Sequence, residues 1–287
     1  MEGQEQQKLL EENAYLKTKL SVHERRNERG KTKNIGEKDE VLVQIDLYYL
    51  NQQKQYDRLV EIFGDGASQG IMFLDINTGE EILDMNQFSK APTNLKADCI
   101  IQMKKTGMIY HPSIKSKNAA PPAILNHTPR SANVFQENGA LYKYLNSLDT
   151  LVAEYIDKRT RSLIKEDKSV RDLEWLTDPS IKSDFMNVLL YFMFEGTGER
   201  ESSLKADSIL YYKYNNNDSI IVFIPCISHE EKMNYLETIF DKMIISLRDK
   251  DGMPDNQQKL EYCQNWIYLD GEKKKGKLHV RVDEKQL

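Results

Sequence analysis

The sequence predicts a mixed α+β fold with helices and hairpins interspersed. Three observations support this. Apolar residues recur at helical spacing in several long runs. Two short pairs of β-forming runs are each joined by a turn. No regular strand–helix–strand rhythm connects them, so the class is α+β or mixed α/β. The chain has 287 residues, 39% of them apolar and 30% charged, enough for one large core or two modest ones.

Residues 1–24 read as an amphipathic helix. Leu9, Asn13, Leu16 and Leu20 follow d-a-d-a heptad spacing, and an Asn at an a position fixes register in a dimeric coiled coil. Two heptads hold poorly alone, so a solvated helix or one docked on its own domain is the first reading, and dimerisation is the second. Residues 25–40 read as a charged linker, and the folded domain is expected over 41–287, with a subdivision considered near 139. Val43, Leu47, Leu50, Tyr56, Leu59 and Phe63 repeat at helical spacing up to Gly64 and Gly66, which end the helix. A strand over 71–75 and a turn at Asn77-Thr78-Gly79 follow.

The stretch 97–116 reads as a β-hairpin around Lys105-Thr106-Gly107. Residues 117–135 form a proline-shaped loop. Helices are expected over 139–165, 180–194 and 230–247, and a second hairpin over 206–225. The C-terminus reads as a strand at 266–269, a lysine-rich turn and a strand at 277–282.

Composition excludes several function classes. No apolar run approaches the roughly 18 residues that span a bilayer, and the start lacks the plan of a signal peptide. Three scattered cysteines make neither a disulfide framework nor a zinc module. A cytoplasmic or other intracellular location is expected. With 40 basic against 45 acidic residues, bulk charge does not favour coating nucleic acid; a local basic groove beside an acidic metal site remains open.

The chemistry-bearing segment runs from Asp98 to Lys115. A turn centred on Thr106 and Gly107 sets Asp98 directly opposite Lys115, and Ser113, two residues earlier, shares their face. A carboxylate, a hydroxyl and an ammonium meet there. Such a set suits metal-assisted phosphodiester hydrolysis: the carboxylate binds a hard cation, and the lysine orients water and stabilises developing charge. A plain cross-strand ion pair, worth under about 1 kcal/mol when exposed, is the other reading.

The pattern Asp98 … Ser113-Ile114-Lys115 resembles the PD-(D/E)xK nuclease superfamily, especially type II restriction endonucleases. The resemblance covers roughly residues 55–117. It implies a restriction-endonuclease-like core, a central hairpin or sheet flanked by helices, with an N-terminal helical extension. It further implies Mg²⁺ or Mn²⁺ as cofactor and DNA as partner. By that resemblance Asp98 is the motif acid, Lys115 the motif lysine and Glu61 the accessory helical acid. Ala97 stands where the family has Pro, and Ser113 where it has a second acid. Glu80, Glu81 and Asp84 are candidates to supply the missing carboxylate.

Lys117, His127, Arg130 and Ser131 lie in or beside the proline loop and suit phosphate and base contacts. Arg200 and Lys205, in a loop too acidic for a phosphate cradle, are further substrate candidates. Asp207, opening the second hairpin in a Lys-Ala-Asp that echoes 96–98, is the backup metal ligand. The expected function is metal-dependent DNA cleavage, with restriction-type site specificity, by a homodimer. A non-catalytic nucleic-acid-binding or self-assembling protein with a degenerate nuclease fold is the alternative.

Overall fold

The computed structural model describes residues 2–24, 35–117, 123–126, 134–135, 137–160, 169–170, 176–197, 200–214, 219–248, 268–270, 273–275 and 277–282. Two compact units interleave along the chain. The first contains residues 1–93, 97–120 and 206–225; the second contains 94–96, 121–205 and 226–287. The mixed α+β class holds for both. No helix among the described residues is long and apolar enough to cross a membrane.

In the first unit, helix α1 is Glu2–Glu24 and α2 is Ile35–Gln52. Helix therefore begins at Ile35, inside the stretch read as linker. The expected single helix up to Phe63 is two. Lys54 takes a positive φ of 52°, which breaks the chain's helical path, and α3 follows as Tyr56–Phe63. Gly64, with φ of 82°, caps α3.

Strands β1 (Ile71–Leu74), β2 (Ile100–Met103) and β3 (Ile109–Tyr110) form an antiparallel sheet. The expected hairpin exists but is shorter than read, and its register is shifted. Ile101 pairs with Tyr110 and Gln102 with Ile109, so Asp98 is brought to Ser113 and not directly to Lys115. The second arm also does not continue in one sheet. Pro112 has no N–H to extend the ladder. From there β4 (Pro112–Ser116) pairs in parallel with β7 (Ser208–Lys213), which pairs antiparallel with β8 (Ile220–Pro225). The β7–β8 hairpin is as expected.

Leu42 and Ile45 of α2, Leu59 of α3, Phe73 of β1, Ile101 of β2 and Leu210 and Tyr212 of β7 are buried together as this unit's core. Burying side chains of this size contributes roughly 1.5–3 kcal/mol each. Helix α1 docks on the unit through its own polar network. Asp46 of α2 accepts from Tyr15 Oη and Lys19 Nζ at 2.7 Å each, from Tyr212 Oη at 2.7 Å and from Ser219 Oγ at 2.8 Å. Lys19 also lies over the rings of Tyr15 and Tyr214, at 4.9 and 4.8 Å.

In the second unit, α4 (Leu145–Thr160), α5 (Pro179–Leu190) and α6 (His229–Phe240) surround a core that includes Leu148, Leu151, Phe185, Leu189 and Leu236. Asp178 caps α5 with Pro179 in its first turn, and Ser228 with Glu231 makes a capping box on α6. Strands β5 (Ala123–Asn126), β12 (Lys277–Val282), β9 (Met243–Arg248) and β6 (Ser169–Val170) form an antiparallel sheet. The helix expected to reach residue 247 stops at Phe240, and its last third is β9, where Ile244 and Ile245 suit a strand. Lys273–Lys275, expected in a turn, form β11 against β10 (Tyr268–Asp270).

Candidate functional site

The first unit brings a carboxylate, a hydroxyl and an ammonium together at the start of β4, and α2, which packs on that strand, carries a second carboxylate within their electrostatic reach. Asp98 precedes β2 and turns back over the start of β4. Its Oδ2 accepts the Ile114 N–H at 2.6 Å and the Ser113 hydroxyl at 3.3 Å. Its own N–H donates to the Pro112 carbonyl at 2.8 Å. Lys115 Nζ donates to Ser113 Oγ at 2.7 Å. Ser113 is buried and links the acid to the lysine. Asp98, Ser113 and Lys115 thus meet as the sequence suggested, with Asp98 facing Ser113 and reaching Lys115 through it.

The second carboxylate is Glu40. The neighbouring Asp39 on α2 is buried and accepts from Ser116 Oγ of β4, which fastens the helix to the strand. Glu40 Oε2 is buried and has no hydrogen-bond partner among the described residues. Burial, then the charge of Asp98, push the Glu40 carboxyl up to about 7, against the opposing pull of Lys90 and Lys115. The charges acting on Glu40 are those of Asp98, Lys90, Lys115 and Glu37, with Lys90 paired to Glu37 at 2.7 Å. A buried carboxylate oxygen without a donor is destabilising unless it holds a proton or meets a cation.

Glu61, expected in this role, is not one of those charges. It is exposed on α3, where it pairs with Arg58 at 2.8 Å. It lines a separate 550 Å³ cavity with Tyr15, Lys19 and Asp46. Glu80 and Glu81 are exposed, and Asp84 caps the turn Met85–Gln87 by accepting from the Asn86 N–H. None of the three joins the site. Glu40 lay one residue before the expected start of the folded domain. The signal that finds it is the helical pattern carried back to Ile35, which sets the Asp39-Glu40 pair on the helix and not in a linker.

Asp207, the backup ligand, is committed elsewhere. Its carboxylate accepts the His111 N–H at 2.7 Å, faces His111 Nδ1 at 2.7 Å and accepts the Ser208 hydroxyl at 2.9 Å. Burial alone would raise the Asp207 carboxyl, but these bonds outweigh it and hold the group below its ordinary value. Cys99 is fully buried. Burial first, then the charges of Asp98 and Asp207, push its thiol well above the usual range, which disfavours the thiolate.

The substrate candidates divide. Lys117 follows β4, with Nζ over the Tyr211 ring at 5.3 Å. His127, Arg130 and Ser131 lie outside the described residues. Arg200 and Lys205 belong to the second unit, where Lys205 pairs with Glu201 at 2.7 Å.

Among the described residues no group of three or more His, Cys, Asp and Glu side chains is arranged to hold a metal ion. A pair of carboxylates, one of them with a buried oxygen that lacks a donor among the described residues, is nevertheless a donor set Mg²⁺ accepts. This ion keeps several waters and often takes only one or two protein carboxylates plus a substrate phosphate. No protein-family model, no curated protein and no solved structure matches the chain.

Proposed function

We propose that this chain is a metal-dependent endonuclease that cleaves DNA phosphodiester bonds, in the manner of PD-(D/E)xK enzymes and with restriction-type site specificity. The observation that carries the reading is the unpartnered Glu40 Oε2, buried on a helix within the electrostatic reach of Asp98 and Lys115. Glu40 and Asp98 would hold Mg²⁺ or Mn²⁺. Such an ion supplies an acidified water and neutralises charge on the phosphate. Lys115, steered by Ser113 Oγ, positions the attacking water and stabilises the charge that develops on the phosphoryl oxygens. Ser113 replaces the second strand acid, and Glu40 makes up the carboxylate count. Lys117 offers a phosphate contact at the end of β4.

The test is cleavage of plasmid and of several unrelated genomic DNAs with Mg²⁺, Mn²⁺ or EDTA. Fragments are expected only with metal. They should vanish in Asp98→Ala, Glu40→Gln and Lys115→Ala, and persist in Glu61→Gln.

One observation favours a second reading. The Asp98 carboxylate already accepts two hydrogen bonds from β4, which is what a structural cap does. Under that reading the fold binds nucleic acid, or assembles, without cutting. DNA retarded in a gel, with every substrate intact under both metals, would support it.

A further inference from the structure

Helix α1 has two faces and the first unit uses one. Tyr15, Thr18, Lys19 and Val22 turn inward: Thr18, Lys19 and Val22 are buried, and Tyr15 and Lys19 bond Asp46. At about 100° per residue the mean direction of this set lies about 140° from that of Leu9, Asn13, Leu16 and Leu20. The second set stays in water. Leu9, Leu16 and Leu20 are 55%, 54% and 58% exposed, and Leu10 beside them is 60% exposed. Four leucines over about three turns of one surface helix are more than scattered surface apolarity.

We propose that this face is a self-association site at which α1 pairs in parallel with α1 of a second copy of the chain. The inference stands apart from the endonuclease reading. With Leu9 and Leu16 at d and Asn13 and Leu20 at a, Glu12 falls at g and Lys17 at e. In a parallel pair, g of one helix faces the e five residues on in the other, so Glu12 meets Lys17 of the partner, twice by symmetry. Both are exposed. In an antiparallel pair Glu12 would instead approach the partner's residue 19, and Lys19 is turned inward onto Asp46 at 2.7 Å. Charge complementarity therefore selects the parallel arrangement. Asn13 then faces Asn13, the pairing that fixes register and two-strandedness.

Docking removes the usual objection to so short a coiled coil. Nucleation is the costly step, and the Asp46 network already holds α1 helical. Because docked and free faces point nearly opposite ways, the two bodies lie on the outside of the pair. The stripe is short, so association is reversible and falls off on dilution.

The test is sedimentation equilibrium of the full chain over a dilution series. A monomer–dimer equilibrium is expected. Leu16→Lys should abolish it while leaving the circular dichroism unchanged. Glu12→Lys should weaken it roughly tenfold, and Glu12→Lys with Lys17→Glu should largely restore it. In a Cys263→Ser background, Asn13→Cys should form disulfide-linked dimers on mild oxidation. A wild-type chain that stays monomeric at every concentration overturns the proposal. So does a dimer that survives Leu16→Lys, or a charge exchange without recovery combined with no Asn13→Cys cross-link.

Discussion

Asp98 and Asp207 both grip the chain where it enters β4. Asp98 Oδ2 accepts the Ile114 N–H at 2.6 Å, and Asp207 Oδ1 accepts the His111 N–H at 2.7 Å. Their own N–H groups donate to the Pro112 and His111 carbonyls, at 2.8 and 3.2 Å. Each lies in a Leu-Lys-Ala-Asp segment that leads into a strand. The sequence echo therefore has a structural counterpart, since both copies clamp the entry to β4. Their chemistry differs. Asp98 leads through Ser113 to Lys115, whereas Asp207 closes on His111 and Ser208.

From that difference, Asp207→Ala should lower stability by about 1–3 kcal/mol, the usual effect of leaving buried donors unpaired. The Asp207 carboxyl is held low by its bonds, so its contribution is present above the ordinary carboxylate value of 3.8 and fades as pH falls through its lower folded value. Urea denaturation at neutral and at acid pH should show the gap between wild type and variant shrinking in acid. Nitrogen NMR of His111 should show the proton on Nδ1 in the neutral ring, and Asp207→Ala should lose that preference.

Glu40 predicts the opposite pH trend. Its folded carboxyl is raised from 4.5 to about 7, so the folded state binds the extra proton between those values. Stability falls across that window as pH rises, by on the order of 3 kcal/mol once the group is fully ionised. Glu40→Gln should match wild type near pH 4 and exceed it near pH 8 in thermal or urea unfolding. A variant less stable than wild type at both values would contradict a charged, unpartnered Glu40.

Asp46 is the structural counterweight, a buried acid with four donors. Asp46→Ala leaves the Lys19 ammonium, 10% exposed, without its counter-charge. A loss of about 3–5 kcal/mol is expected in urea denaturation. Replacing both partners, Lys19→Met with Asp46→Leu, should recover much of it. If the single substitution is neutral, α1 is not anchored as described.

The sequence revealed the site in part. Asp98, Ser113 and Lys115 were legible because strand alternation and a Gly turn put them on one face. The register was off by two residues, because nothing local says that Pro112 ends one sheet and begins another. Glu40 was missed because charged residues ahead of an apolar run look like linker, and Glu61 was expected from the family resemblance alone. The two faces of α1 could not be separated by pattern: Tyr15 and Lys19 read as solvent residues until Asp46, 27 residues after Lys19, meets them. The helix expected over 230–247 failed for a related reason. Pairing with β12 and β6 outweighed local continuity after Phe240.

Glu40 and Asp98 are the proposed cation ligands. Mn²⁺ binding followed by electron paramagnetic resonance tests this assignment on wild type, Glu40→Gln, Asp98→Asn and Glu61→Gln. One Mn²⁺ ion per chain is expected, weakened at least roughly tenfold by Glu40→Gln and by Asp98→Asn, and unchanged in Glu61→Gln. No Mn²⁺ binding by a folded wild-type chain, or binding that Glu40→Gln leaves intact, would contradict it.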